Sequence, residues 1–281
     1  MALQWYPGHM TKARRELAQL MPSQDLVIEV LDARLPAASR NPVVGELAAG
    51  KPRIQVLTKS DLADPAVTRA WLDYLQATPQ TAAFAATRER PGETRKRIVE
   101  LAGRLGVPHT RDRPLRALIA GVPNVGKSSL INVLMDRLVA KTSDKPAVTK
   151  QQQRVVLPSG FIVTDSPGLM WPKIEDEAGA LRLALAGSIP DTAIDYATTG
   201  AFGARLLLET YPALIVARYK LAATPATAEA LLTEIGRRRG LGPGGSVDLH
   251  KAAEVLVREF RQGTLGRISL ERPPVPAAQT V

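Results

Sequence analysis

Residues 116–135 read RALIAGVPNVGKSSLINVLM, and this stretch decides the fold. An apolar run runs directly into Gly121-Val-Pro-Asn-Val-Gly126-Lys127-Ser128, and a helical pattern follows at once. Strand, Gly-rich loop and helix in that order are the context that G-x-x-x-x-G-K-[ST] needs to bind phosphate. The glycines let successive N–H groups from Asn124, Val125, Gly126, Lys127, Ser128 and Ser129 curve around an anion at the helix N-terminus. Lys127 is placed to reach β- and γ-phosphate oxygens, and the Ser128 hydroxyl to ligate Mg²⁺.

Downstream, the apolar run FIVTD at 161–165 ends in Asp165-Ser-Pro-Gly168. An Asp at a strand end can hold Mg²⁺ through water, and a Gly168 amide can donate to a γ-phosphate. Between the two motifs, Thr149 in KPAVTKQQQ is either a switch residue closing over Mg²⁺ or an ordinary loop threonine. Upstream, apolar runs at 25–31, 53–58 and 81–86 join those at 115–121 and 161–165 as expected strands. Helical patterns separate most of them, which predicts βαβ units and a parallel-type sheet covered on both faces. Beyond Trp171 the apolar spacing becomes three and four, so the chain is expected to be all-α from a boundary near 175. Ser246 or Asp248 is expected to cap a helix running to about Gln262, stopped by Gly263. The Pro-rich end ERPPVPAAQTV is expected to be disordered.

A phosphate loop alone fits ATPases, kinases and GTPases. Guanine needs one carboxylate facing both its N1–H and its 2-amino group, and no [NT]-K-x-D follows Asp165. Such a motif does stand upstream, where the run RIQVL ends in Thr58-Lys59-Ser60-Asp61. There Asp61 could grip the guanine edge while the Lys59 stem lies along the ring. The C-terminal end of a parallel strand is where α/β sheets bind ligands. The backbone amides of Ala86-Thr87, ending the next run, could meet the guanine O6. The order is therefore base motif first and phosphate loop second.

Composition is consistent with this. The 281 residues are 45% apolar, 23% charged and 4% aromatic, as in a globular protein with an aliphatic interior. No run approaches a membrane span, and the N-terminal residues lack the apolar core of a secretory signal. The absence of cysteine removes disulfides, thiol catalysis and Cys-ligated zinc, and fits the cytosol. The net charge of +10 points to an anionic partner, of which nucleic acid is the commonest.

Thr58-Lys59-Ser60-Asp61, then Gly121–Ser128, then Asp165–Gly168 resembles the circularly permuted GTPases. QWYPGHMTKARREL at 4–17, LDARLPAASRNP at 31–42 and PGLMWPKIEDE at 167–177 narrow the likeness to the bacterial ribosome biogenesis GTPase A family, from about Gln4 to Leu270. The resemblance implies a permuted G domain over 1–175, with a basic arm at 1–22, and a helical RNA-binding domain over 176–281. It implies a monomeric cytoplasmic protein that binds GTP, GDP and Mg²⁺, and a GTPase acting late in assembly of the large ribosomal subunit. Contacts to rRNA and ribosomal proteins are expected, with turnover rising on the particle. The chain departs from the pattern at Thr58, where Asn is usual, and at Ser166, where Thr is usual. Thr58 is expected to weaken local support for the base loop while keeping guanine selectivity.

Many GTPases orient the attacking water with a Gln after D-x-x-G, but Leu169 occupies that position. Asn124 resembles the residue that holds K⁺ in potassium-activated GTPases, and otherwise supports the loop. His9 is similar to a family histidine proposed to act on the water, and otherwise contacts RNA or packs. Lys12, Arg14 and Arg15, with Arg237, Arg238 and Arg239, are either rRNA contacts or solvated charge. A kinase or ATPase, and a non-hydrolysing RNA-binding scaffold, are the competing functions. Removing 178–281 is expected to leave nucleotide affinity intact, because both nucleotide motifs lie upstream.

Overall fold

The computed structural model describes residues 8–87, 90–107, 113–135, 153–157, 161–166, 168, 170, 176–242 and 246–274. Its centre is a six-stranded sheet in the order β3-β2-β1-β4-β6-β5. The strands are β1 (Leu26–Asp32), β2 (Arg53–Thr58), β3 (Thr81–Ala85), β4 (Arg116–Ala120), β5 (Gln153–Val156) and β6 (Ile162–Asp165). Every pairing is parallel except that of β5 with β6. The expected strands are present within a residue or two. β5 was not expected, because a four-residue edge strand paired on one side carries no apolar run, and Val156 is 63% exposed. β1 is buried along its whole length, as a strand covered on both faces must be.

Among the described residues, five α-helices accompany the sheet: α1 (Gly8–Leu20), α2 (Pro42–Leu47), α3 (Pro65–Gln76), α4 (Pro91–Arg104) and α5 (Lys127–Met135). Asn41 and Asp64 start α2 and α3 by accepting from N–H groups of the first turn, and a proline follows each cap. Along α3, Val67, Trp71 and Leu75 recur every fourth residue and bury one stripe against Leu31 and Leu57.

From residue 177 the described chain is helical: α6 (Glu177–Ala186), α7 (Tyr196–Thr210), α8 (Pro212–Tyr219), α9 (Ala228–Arg239) and α10 (Leu249–Gln262). Of the two expected caps for α10, Asp248 accepts from Lys251 N–H, and Gly263 ends the helix in the left-handed region. One continuous set of buried apolar residues runs from the sheet, through Ile119 and Leu130, into Leu183, Leu207 and Leu256 of these helices.

The chain end is a correction to the sequence reading. Residues 264–271 turn back from α10 as a strap across the sheet domain, with Leu265, Ile268 and Leu270 buried. Glu271, expected to open a disordered tail, has its carboxylate on the N–H groups of Ala37 and Ala38. Its carbonyl accepts from the Trp71 indole at 3.3 Å. Proline content alone misled here, because these contacts come from sheet-side loops remote in sequence. Residues 275–281 lie outside the described residues.

The contact of α7 with α10 depends on the absence of a side chain at Gly200, where a Cβ would sit 2.4 Å from Ala253 Cβ and 2.8 Å from its Cα. Gly200→Ala is expected to lower unfolding stability by about 1–3 kcal/mol in urea titrations. Gly103→Ala, within α4 and facing open space, should instead gain about 0.5–1 kcal/mol.

Candidate active site

Because five strands run parallel, their C-terminal ends share one edge of the sheet. The chain changes direction between β1 and β4, so the crevice at that point is where a ligand is expected. The loop after β4 is Gly121–Gly126, the loop after β2 carries Asp61, the loop after β3 begins at Ala86, and Asp165 ends β6. The structure therefore brings together the base and phosphate motifs that the sequence separates.

The phosphate loop opens onto α5. The Lys127 ammonium donates to the carbonyls of Val122 at 2.8 Å and Gly121 at 3.2 Å. Gly168 lies against this loop, where a Cβ would meet Pro123 Cα at 2.7 Å and Lys127 Nζ at 3.1 Å. Both carboxylate oxygens of Asp165 are buried without a hydrogen-bond partner among the described residues. Burial pushes Asp165 up to about 6, against the opposing charge of Lys127. Burial likewise pushes Lys127 down to about 8, against the pull of Asp165. A buried, unsatisfied carboxylate beside a lysine and a helix N-terminus fits a Mg²⁺-bound phosphate group.

The base loop is a turn closed by Leu62 N–H to Lys59 O at 2.9 Å, with Ser60 and Asp61 at its corners. Asp61 Oδ1 is buried and has no hydrogen-bond partner among the described residues, which suits a carboxylate that reads a base. Ser60 Oγ donates to Ala86 O at 3.0 Å, bringing the Ala86-Thr87 segment alongside. The Thr58 hydroxyl lies 2.5 Å from Val125 O and 3.0 Å from Leu31 O, so this departure from the family pattern still ties the base loop to the phosphate loop.

Lys59 does more than line a base. Its ammonium donates to Asp32 Oδ2 and to Asn124 O, both at 2.9 Å. Asp32, at the end of β1, also takes a bidentate pair from Arg34 at 2.9 and 2.8 Å. Burial alone would raise the Asp32 carboxyl, but Arg34 and Lys59 hold it well below the usual carboxylate range. Lys59 and Asn124 both have positive φ, 56° each, a conformation that costs a residue with a side chain about 1–2 kcal/mol. Such strain clusters at functional sites.

Sequence reasoning did not single out Asp32 or Arg34 as site residues. The signal was present: DLVIEVLD ends an apolar strand in an aspartate, just as FIVTD does. The Asn124 side-chain amide, assigned above to K⁺, donates to Gly187 O at 3.1 Å and so joins the phosphate loop to the end of α6. The strap also reaches the base loop. Arg267 donates to Ser60 O at 2.8 Å and to Ala63 O at 2.9 Å. Residues 178–281, whose removal was expected to leave nucleotide affinity intact, therefore touch one of the two nucleotide segments.

The remaining expected residues are dispersed. Ser128 and Ser129 open α5, and His9 lies in the first turn of α1, its side chain outside the described part. Thr149 and Leu169 lie outside the described residues. Lys12, Arg14 and Arg15 are exposed along α1, with Lys12 and Arg14 3.8 Å from Glu16 and Glu46. Arg237 and Arg238 are exposed and share Glu234. Arg239 is exposed as well, and its guanidinium is bound to the buried Glu259, which Arg218 also grips.

The fold and the loop order define a P-loop GTPase in which the base motif precedes the phosphate loop, a circular permutation of the common order. Comparison with known proteins agrees. Residues 116–194 match the 50S ribosome-binding GTPase family model. A ribosome biogenesis GTPase A from Bacillus licheniformis is 40% identical over 97% of this chain and 99% of its own length. One from Thermotoga maritima is 32% identical over 99% of both chains. The solved structure of GNP-bound YlqF from T. maritima superposes with a TM-score of 0.64 at 28% identity, covering 93% of this chain and 98% of that one. The chain belongs to the ribosome biogenesis GTPase A family.

The raised Asp165 carboxyl generates a pH test. Its folded-state value of about 6 exceeds the ordinary 3.8, so the folded protein holds more protons than the unfolded chain between those values. Stability of the nucleotide-free protein should therefore fall as pH rises across that window. Asp165→Asn should flatten that part of the profile in denaturant titrations from pH 4 to 7.

Proposed function

We propose that this GTPase acts in the cytoplasm, as a monomer, late in assembly of the large ribosomal subunit. In this reading residues 1–175 handle the nucleotide, while residues 176–281 and the basic arm 1–22 bind rRNA beside ribosomal proteins. The observation that carries it is the gathering of Asp61, Lys127 and Asp165 at one sheet edge, in a chain alike over nearly its whole length to relatives named for ribosome biogenesis.

Asp61 takes guanine N1–H and the 2-amino group, while Thr58, Lys59, Ser60, Ala86 and Thr87 frame the base. Lys127 turns from the carbonyls of Gly121 and Val122 to phosphate oxygens of higher charge. N–H groups of Asn124 through Ser129 surround the phosphates, and the Gly168 amide faces the γ-position. Mg²⁺ would be held by Ser128, Thr149 and, through water, Asp165, and it offsets charge on the β- and γ-phosphates. The carbonyl of the Asn124 side chain is the group K⁺ would call upon. With Leu169 unable to orient water, turnover is slow until the particle completes the site, and His9 is the residue on this chain suited to act there.

The helical part follows Gly168 and touches the phosphate loop through Asn124 and Gly187, so the γ-phosphate re-aims it. Co-sedimentation with large ribosomal subunits should be stronger with a non-hydrolysable GTP analogue than with GDP. It should weaken steeply with salt, as counterion release requires. Arg237→Glu with Arg238→Glu should weaken binding without changing GDP affinity. Binding indifferent to nucleotide, to salt and to this charge reversal would refute the assignment.

A further inference from the structure

The base loop is held from two sides. On the sheet side, Thr58, Lys59 and Ser60 are bonded to Val125, Asn124 and Ala86 respectively. On the other side lies the strap. The two donors of Arg267 take the carbonyls of Ser60 and Ala63, which bracket Asp61 in sequence. Between them, Leu62 O accepts from Ile268 N–H at 2.9 Å. Asp64 N–H donates to Ser269 Oγ at 3.2 Å, and Tyr211 joins the pair by donating to Asp64 and accepting from Ser269 N–H. Thus the carbonyls of residues 60, 62 and 63 all find their partners on one short segment beyond α10.

The segment is directed there by local chemistry. Gly263, with φ 75°, ends α10 against Leu62, and a Cβ at Gly263 would sit 2.6 Å from Leu62 Cδ2. Gly266, with φ 111°, completes the reversal and sends Arg267 back across the loop. A guanidinium is rigid and planar, so its two donations fix the relative orientation of two peptide groups more strictly than the rotatable donors of a flexible ammonium could. One of those peptides, Ser60–Asp61, leads directly into Asp61. A carboxylate that must meet two donors of a planar base loses both if its turn rotates.

We propose that Arg267 is a positioning residue for guanine recognition, so that the segment after α10 forms the outer wall of the base site. The proposal rests on the reading that Asp61 takes the guanine. It implies that base selectivity in this chain depends on the helical part being docked, although no residue beyond 168 was expected to contact nucleotide.

The test uses the full-length chain and its Arg267→Ala, Arg267→Lys and Asp61→Asn variants. Affinities for GDP and ADP are measured by competition against a fluorescent nucleotide, alongside the thermal midpoint without nucleotide. Arg267→Ala should weaken GDP about tenfold, as expected for lost charge-assisted bonds, and leave ADP unchanged, so the preference for guanine falls by the same factor. Arg267→Lys, which keeps the charge but not the rigid fork, should fall between and covers the case in which the alanine variant does not fold. GDP and ADP weakening together, or a lowered midpoint with the preference intact, would make Arg267 a purely structural tie and overturn the proposal. An Asp61→Asn variant with unchanged GDP affinity would instead overturn the base assignment, and the proposal with it.

Discussion

Asp32 sits at the end of the central strand with no solvent exposure, and two cations meet on its carboxylate. Arg34 grips it with two bonds and Lys59 with one. Burying a carboxylate is costly unless it is paired and hydrogen-bonded, and removing one partner of such a pair costs about 3–5 kcal/mol. Each cation is therefore fixed by the same anion. Lys59 carries that constraint to the phosphate loop through Asn124 O. Arg34 carries it to the helical part, since its guanidinium lies 4.8 Å from the Phe260 ring centroid and its carbonyl accepts from Leu270 N–H at 2.6 Å. The position of Asp32 between the loops after β2 and β4 follows from strand order alone.

The helical part is fastened to the nucleotide loops at two further places. Asn124 donates to Gly187 O at the end of α6, and Arg261 of α10 donates to Ala184 O and Leu185 O at the same helix end. A guanidinium there also opposes the negative end of the helix dipole. Along the other edge, the strap covers the base loop and Arg182 donates to Leu270 O at 3.1 Å. In the permuted order the chain leaves the phosphate loop at Gly168, passes through helices α6 to α10 among the described residues, and returns to the loop after β2 at Arg267.

Much of this was legible in the sequence, because the informative signals were local. The Gly121–Ser128 loop, the Asp61 turn and the strands before them are each a few residues, and the strand ahead of each motif is what supports its reading. The permuted order needed only the observation that the base motif comes first. What stayed hidden is long-range. The pairing of Asp32 with Lys59, the donation from Asn124 to Gly187 and the return of Arg267 to Ser60 join residues 27, 63 and 207 positions apart. β5 escaped because an edge strand need not be apolar, and the ordered Glu271 escaped because proline content says nothing of a docking surface. The ion pair of Arg239, read as an rRNA contact or solvated charge, with Glu259 was equally hidden.

The central claim is that Asp32 and Lys59 act on nucleotide binding as one unit. A double-mutant cycle read by GDP affinity tests it most directly, with Asp32→Asn, Lys59→Met and the double variant in the full-length chain. Coupling between the two substitutions of about 1–3 kcal/mol is predicted, with the double variant little worse than either single one. Losses that simply add would contradict the account, since each residue would then serve the site on its own.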